Sequence, residues 1–217
     1  MAQVQRGRLI LLGAALGAPL VSRAKPAIDL LEDADYRVIP QQPTADPKRV
    51  EVVEFFYYGC RWCNEFEPYL TEWLSRKPAD VDFFRQPALR SSRWVTLTAA
   101  FYALAALGEL PRLHGQVFRA YHREGIDLED EAKLIKWAQK QGLERDKFER
   151  ALQSDSVQAK VDAARALTDR YEIESTPSVV VGGRYLTSSG MTGGVAALMD
   201  VVEQLVVLAR EDHAASK

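Results

Sequence analysis

Glu51-Val-Val-Glu54-Phe-Phe-Tyr-Tyr-Gly59-Cys60-Arg61-Trp62-Cys63-Asn64-Glu65-Phe66-Glu67-Pro68 is the stretch on which the reading of this chain turns. An apolar run of β type ends at a glycine, two cysteines follow with two residues between them, and the pattern then changes to helical spacing. A strand that delivers a C-x-x-C to the first turn of a helix activates a thiol. Orphan N–H groups and the positive end of the helix dipole point at the first sulfur and favour its thiolate. Cys60 is therefore the candidate nucleophile, and Cys63, one turn deeper, the candidate resolving thiol.

The strand itself, read over residues 49–58, is apolar on both faces: Val50, Val52 and Phe56 on one, Val53, Phe55 and Tyr57 on the other. Such a strand needs cover on both sides, as in an α/β sheet. Glu54 interrupts it. A carboxylate buried there without a partner is costly and rises in pKa, which suits a proton reservoir beneath a reactive thiol pair.

Only these two cysteines occur among the 217 residues. His114, His122 and His213 lack ligand spacing, so a zinc site is disfavoured. A structural disulfide closing so short a loop would stabilise little. Redox chemistry is the reading that remains. His114 and His122 are read as surface or interhelical residues, and Asn64, Glu65 and Glu67 as solvated helix positions.

Composition is that of a soluble globular chain, 47% hydrophobic and 27% charged, with a net charge of −2 that indicates no nucleic-acid or anionic-membrane partner. The N-terminus differs. Arg6 and Arg8 precede an apolar run over residues 9–21, and Ser22-Arg23-Ala24 has the small-x-small form of a cleavage site. Thirteen residues are too few to span a bilayer as a helix. Residues 1–24 are expected to be a cleavable signal peptide, and the product to be exported.

Taken in order, Tyr36 to Pro40 reads as a brief edge strand, and a helix runs on from Cys60 with Pro68 inside it. Val81 to Arg85 is a strand stopped by Pro87. Residues 91–170 then read as an inserted subdomain of four or five helices, dividing a first part (25–90) from a second (171–217). After Tyr171, Ser178 to Val181 and Arg184 to Thr187 flank Gly182-Gly183, which predicts a hairpin with a two-residue turn and a mixed sheet. Gly193-Gly194 opens a last amphipathic helix, and residues 211–217 are expected to fray.

Strand, C-x-x-C helix, strand, helical insert, Thr-Pro, β-hairpin and helix together resemble a thioredoxin fold carrying the inserted helical domain of the DsbA family, over residues 35–210 in element order. Glu54 stands six residues before Cys60, where that superfamily keeps a buried acid. Pro68 stands five after Cys63, at its helix-kinking proline, and Thr176-Pro177 matches its cis-proline loop. The resemblance implies a periplasmic thiol–disulfide oxidoreductase that donates its disulfide to newly exported proteins with free thiols. A membrane quinone-linked, DsbB-like partner would reoxidise it. It also implies that Pro177 is cis, that no cofactor is needed beyond the Cys60–Cys63 disulfide, and that the protein works as a monomer.

The sequence departs from the family at two places. Family oxidases typically carry Pro-His between the cysteines; here Arg61-Trp62 stands there, and an indole can neither carry charge nor accept a hydrogen bond. Arg61 can favour the thiolate only from an exposed, screened position. Trp62 can restrict partners or serve as an aromatic contact. Thr176 replaces the Val usual before the cis-proline of oxidases, and Thr is frequent in reducing or isomerising relatives. The expectation is an oxidising but less extreme pair, tuned by Arg61, Trp62 and Thr176. The competing readings are a periplasmic reductase or isomerase, and a peptide-binding, chaperone-like module in which Trp62, Tyr57, Tyr58 and the Pro177 loop form a docking surface.

Overall fold

The computed structural model describes residues 29–215; the expected signal peptide lies outside them. Among the described residues there are five strands and seven α-helices. These are β1 (Arg37–Val38), β2 (Val50–Phe56), α1 (Arg61–Arg76), β3 (Val81–Pro87), α2 (Val95–Ala106), α3 (Leu110–His122), α4 (Glu131–Lys140), α5 (Arg145–Leu152), α6 (Asp155–Arg170), β4 (Ser178–Val181), β5 (Tyr185–Ser188) and α7 (Val195–Ala215). The strands form one sheet in the order β1-β5-β4-β2-β3. Only β2 and β3 run parallel; β4 is antiparallel to β2 and to β5, and β1 to β5. This is the mixed thioredoxin-type sheet the sequence predicts, with β2 well inside it.

Every residue of β2 is buried, for the reason its two apolar faces imply. On one side Val50 and Val52 join Val179 and Val181 beneath Phe66, Leu70 and Trp73 of α1 and Leu198, Val202 and Leu205 of α7. On the other, Val53 and Phe55 pack with Val180, Leu186 and Tyr171. The end of β2 runs into a third cluster. Phe56, Tyr58 and Cys63 share a core with Phe101, Leu104, Val117 and Phe118 of the helical insert. The insert therefore walls the thiol site instead of standing apart from it.

Local capping sets the insert's helix starts. Asp130 accepts from the Lys133 N–H, Glu144 from those of Asp146 and Lys147, and Ser154 from that of Val157. α1 is different. Its N-cap residue is Cys60, and no side chain caps it.

Two boundaries depart from expectation. The hairpin turn has three residues, Gly182, Gly183 and Arg184, because Val181 pairs with Tyr185. The Arg184 carbonyl is taken by the Ile39 N–H of the strap beside β1, which holds this residue out of the β4–β5 ladder. Residues 211–215 do not fray, and α7 continues to Ala215. There Asp212 accepts a hydrogen bond from Tyr185 and lies 3.8 Å from Arg184, so the last turn is anchored to β5.

Candidate active site

Cys60 terminates a turn in which its N–H donates to the Tyr57 carbonyl, 3.0 Å away. Gly59 is required in that turn: a Cβ there would lie 2.5 Å from the Tyr57 ring. Tyr57 is itself pinned, stacked on Trp94 at 4.1 Å between ring centroids and donating its hydroxyl to Glu129. Glu129 also accepts from Tyr121 and pairs with Arg93. The loop bearing the first thiol is thus clamped to the insert.

Both cysteines are free thiols, Cys60 half-buried and Cys63 buried. Their environments drive them apart. The hydrogen bond from the Cys63 thiol does most to lower the Cys60 pKa. Burial opposes it, and the Thr176 side chain and the backbone N–H groups of Cys63 and Trp62 assist, bringing Cys60 down to about 6. Burial and the neighbouring Cys60 sulfur push Cys63 far up. One thiol is prepared to be an anion at neutral pH and the other to keep its proton. The Cys60 thiol lies 3.1 Å from the Thr176 carbonyl, which accepts its hydrogen bond, and the Thr176–Pro177 bond is cis. Thr176 and Pro177 are therefore brought to the thiol from a distant part of the chain.

Arg61 and Trp62 point outward. Arg61 pairs with Glu65 at 2.7 Å, with its side chain 76% exposed, and its guanidinium lies over the Trp62 ring at 5.4 Å. Trp62 is 50% exposed and lines a cavity of about 320 Å³ with Ser175, Thr176, Ser189, Gly190, Gly193 and Gly194. Tyr57 and Tyr58 are buried, so the aromatic docking surface expected of them does not exist; their rings are spent on Trp94 and Phe118.

Beneath the thiols lies a charged cluster that the sequence reading only half anticipates. Glu54 is fully buried, as expected, but not alone: Arg85 Nε of β3 stands 3.3 Å from its Oε2. The pair is at ion-pair distance without hydrogen-bond alignment, and neither Glu54 oxygen has a hydrogen-bond partner. Burial, then repulsion from Glu67, outweigh Arg85 and push Glu54 up to about 8.

Glu67 is a correction. Expected in solvent, it is 17% exposed, bonded by Arg85 Nη2 at 3.1 and 3.2 Å and within 3.3 Å of His114 Nε2. It lies next to Phe66 and three residues before Leu70, at the edge of the inward face of α1, and α3 crosses above it. His114 is buried between those helices, interhelical and not superficial, and its Nδ1 lies 2.8 Å from the Tyr58 hydroxyl. His122 Nε2 reaches the Tyr58 carbonyl at 2.7 Å. Sequence reasoning missed Arg85, His114 and Tyr58 as members of one cluster. The available signal was a cation on the strand that pairs with β2, in register with Glu54.

A family model described as a DSBA-like thioredoxin domain matches residues 79–205. The thiol:disulfide interchange protein DsbA of Bordetella pertussis is 37% identical over 204 residues, covering 93% of this chain and 96% of that one. This chain belongs to the DsbA family. The DsbA of Azotobacter vinelandii is 32% identical, with 92% and 96% of the two chains covered. The crystal structure of Pseudomonas aeruginosa DsbA superposes with a TM-score of 0.79 at 30% identity, covering 87% of this chain and 98% of that one. The family's fold accounts for the topology described above, and the protein is a thiol–disulfide oxidoreductase of the DsbA type that oxidises substrate thiols.

Proposed function

We propose that this DsbA-family protein donates the Cys60–Cys63 disulfide to exported proteins in the periplasm, with Cys60 as the sulfur attacked. The observation that carries the reading is the opposed pair of thiols: Cys60 lowered to about 6, Cys63 raised and buried. A stabilised Cys60 thiolate stabilises the reduced form and makes a good leaving group, both of which favour giving the disulfide away.

In the forward direction a substrate thiolate attacks Cys60 Sγ. The Cys60–Cys63 bond breaks, and the electron pair leaves on Cys63. That sulfur takes a proton, for which Glu54 is the buried donor beneath it. The substrate's second thiolate then attacks the substrate's first sulfur in the mixed disulfide, forming the substrate disulfide and expelling Cys60 as thiolate. Two electrons pass from substrate to the cysteine pair. Of the two protons the substrate thiols lose, one goes to replace the proton Glu54 gave, and the other to solvent.

The Thr176–Pro177 loop lies beside Cys60, where an extended substrate segment would run, with Trp62 as an aromatic wall. Thr176 tunes the thiolate directly. Arg61, engaged by Glu65, acts at most from a distance. The Cys60–Cys63 disulfide is the only redox group the cycle calls for, with a DsbB-like quinone-linked membrane protein as reoxidant and a monomer as the working unit. An oxidising compartment is required for the disulfide to persist.

The test is the equilibrium of the pair with glutathione, followed by thiol trapping. A potential near that of the glutathione couple or more oxidising is the expected result; one as low as that of thioredoxin, about −270 mV, reverses the direction. Cys60→Ser should abolish exchange while the protein stays folded, and retained activity in that variant would support the peptide-binding alternative.

A further inference from the structure

The buried cluster holds two carboxylates and one permanent cation, Arg85, so the two acids compete for a single proton. They are not equivalently placed. Glu67 receives two hydrogen bonds from Arg85 and faces His114 Nε2 at 3.3 Å. Glu54 has only the poorly aligned approach of Arg85 Nε, 3.3 Å from its Oε2. The tautomer of His114 follows from both neighbours: the Glu67 carboxylate can only accept, which places the imidazole proton on Nε2 and leaves Nδ1 to accept from Tyr58. The Tyr58 hydroxyl lies 2.8 Å from Nδ1, and when it donates there the imidazole proton must sit on Nε2, directed at Glu67. A tautomer protonated at Nδ1 would instead turn a lone pair toward a carboxylate.

We infer that His114, oriented by Tyr58, is a positioning residue that fixes Glu67 as the ionised partner of Arg85 and thereby leaves the shared proton on Glu54. His114 touches neither thiol; it acts through Glu67 and Arg85. The inference rests on the reading of Glu54 as the proton donor to Cys63. The charged and titratable groups facing the cluster are Glu54 from β2, Glu67 from α1, Arg85 from β3, His114 from α3, Tyr58 from the turn before Cys60, and the two thiols. Around His114 the remaining surface is aromatic, from Phe56, Phe101 and Phe118. The directions of the shifts agree with this assignment. Burial opposes ionisation of Glu67, yet His114 and Arg85 carry it below the usual range; burial, with Glu67 adding to it, holds Glu54 up. Burial outweighs Glu67 in lowering His114, which keeps it neutral.

The test titrates the Glu54 carboxyl by isotope-edited infrared spectroscopy on the whole protein, with Glu54→Gln identifying the band, in wild type and in His114→Leu, His114→Gln and Tyr58→Phe. In His114→Leu the loss of the donor should lower the proton affinity of Glu54 about tenfold or more, roughly one pH unit. The pH at which the Cys60–Cys63 potential changes slope should move with it. His114→Gln restores an N–H to Glu67 and should return the titration to within about threefold of wild type, a rescue that packing alone would not produce. Tyr58→Phe removes the hydroxyl that donates to Nδ1 and holds the ring in place, and should move Glu54 in the same direction by a smaller factor. It keeps the test available if His114→Leu does not fold. A Glu54 titration that stays at the wild-type pH in His114→Leu and Tyr58→Phe, both folded, would overturn the inference while leaving Glu54 as donor. A Glu54 already ionised at neutral pH in wild type would overturn the donor role itself.

Discussion

At the scale of single residues, the site works by separating groups of the same kind. Cys60 and Cys63 differ because Cys60, at the start of the helix, receives the Cys63 hydrogen bond, while Cys63 is buried within the helix. Two carboxylates differ because Glu67 collects hydrogen bonds from Arg85 and faces His114, while Glu54 has only a poorly aligned approach of Arg85 Nε. Glu54 is held in the fold at a cost, and its pH dependence follows from the direction of its shift. Its folded pKa, about 8, lies above the ordinary 4.5. The penalty is therefore absent below about pH 4.5, grows as pH rises toward 8 and is constant beyond. Glu54→Gln removes it, so the variant should be more stable than wild type by roughly 1–3 kcal/mol at pH 8. The two unfolding curves in urea should converge near about pH 4. Equal stabilities at pH 8 would show that Arg85 already offsets the burial.

At the scale of elements, the same residue type has opposite consequences according to what surrounds it. Gly183 has φ +72°, and a Cβ there would meet the Gln42 carbonyl at 2.5 Å, where the strap before β2 crosses the β4–β5 turn. Gly183→Ala combines left-handed backbone with a clash against main chain, and should cost about 2 kcal/mol or more. Gly115 lies inside α3, and a Cβ added there would meet nothing within 4 Å. Gly115→Ala should stabilise by about 0.5–1 kcal/mol through helix propensity alone. Thermal unfolding of the two variants should move in opposite directions; a shared sign would contradict the space read from the fold.

At the scale of the whole molecule, the redox state of one bond is linked to global stability. The Cys60 pKa falls from 9.0 in a free thiol to about 6 in the folded, reduced protein, and the oxidised protein has no such group. For a depressed acid the contribution is full above the unfolded pKa and lost as pH falls through the folded one. The reduced form should therefore gain on the oxidised form as pH rises from about 6 to 9, by ~1.4 kcal/mol at pH 7 and at most ~4 kcal/mol above pH 9. Screening of the half-exposed sulfur reduces both figures. Paired denaturation of the two redox forms across this range measures it. A stability difference independent of pH would mean that the thiolate gains nothing from the fold.

Much of this was legible in the chain itself. The order of strands and helices, the C-x-x-C at a helix start and the buried acid in β2 follow from local periodicity and spacing, because hydrophobic pattern and helix-terminus chemistry are properties of short segments, while the Thr176-Pro177 loop was implied by the resemblance to the DsbA family. What only the tertiary structure decided is which distant groups meet. Glu67 reads as a solvent position because nothing within its own helix shows that Arg85 and His114 will close over it. Arg61, adjacent to the nucleophile in sequence, is drawn away by Glu65 one turn further on. His114 becomes part of the site solely because α3 of the insert packs across α1. Burial and the partner of a charge depend on contacts between segments far apart in sequence, and pKa values follow burial and partners. The identity of the reacting thiols was therefore local information, and the distribution of protons beneath them was not.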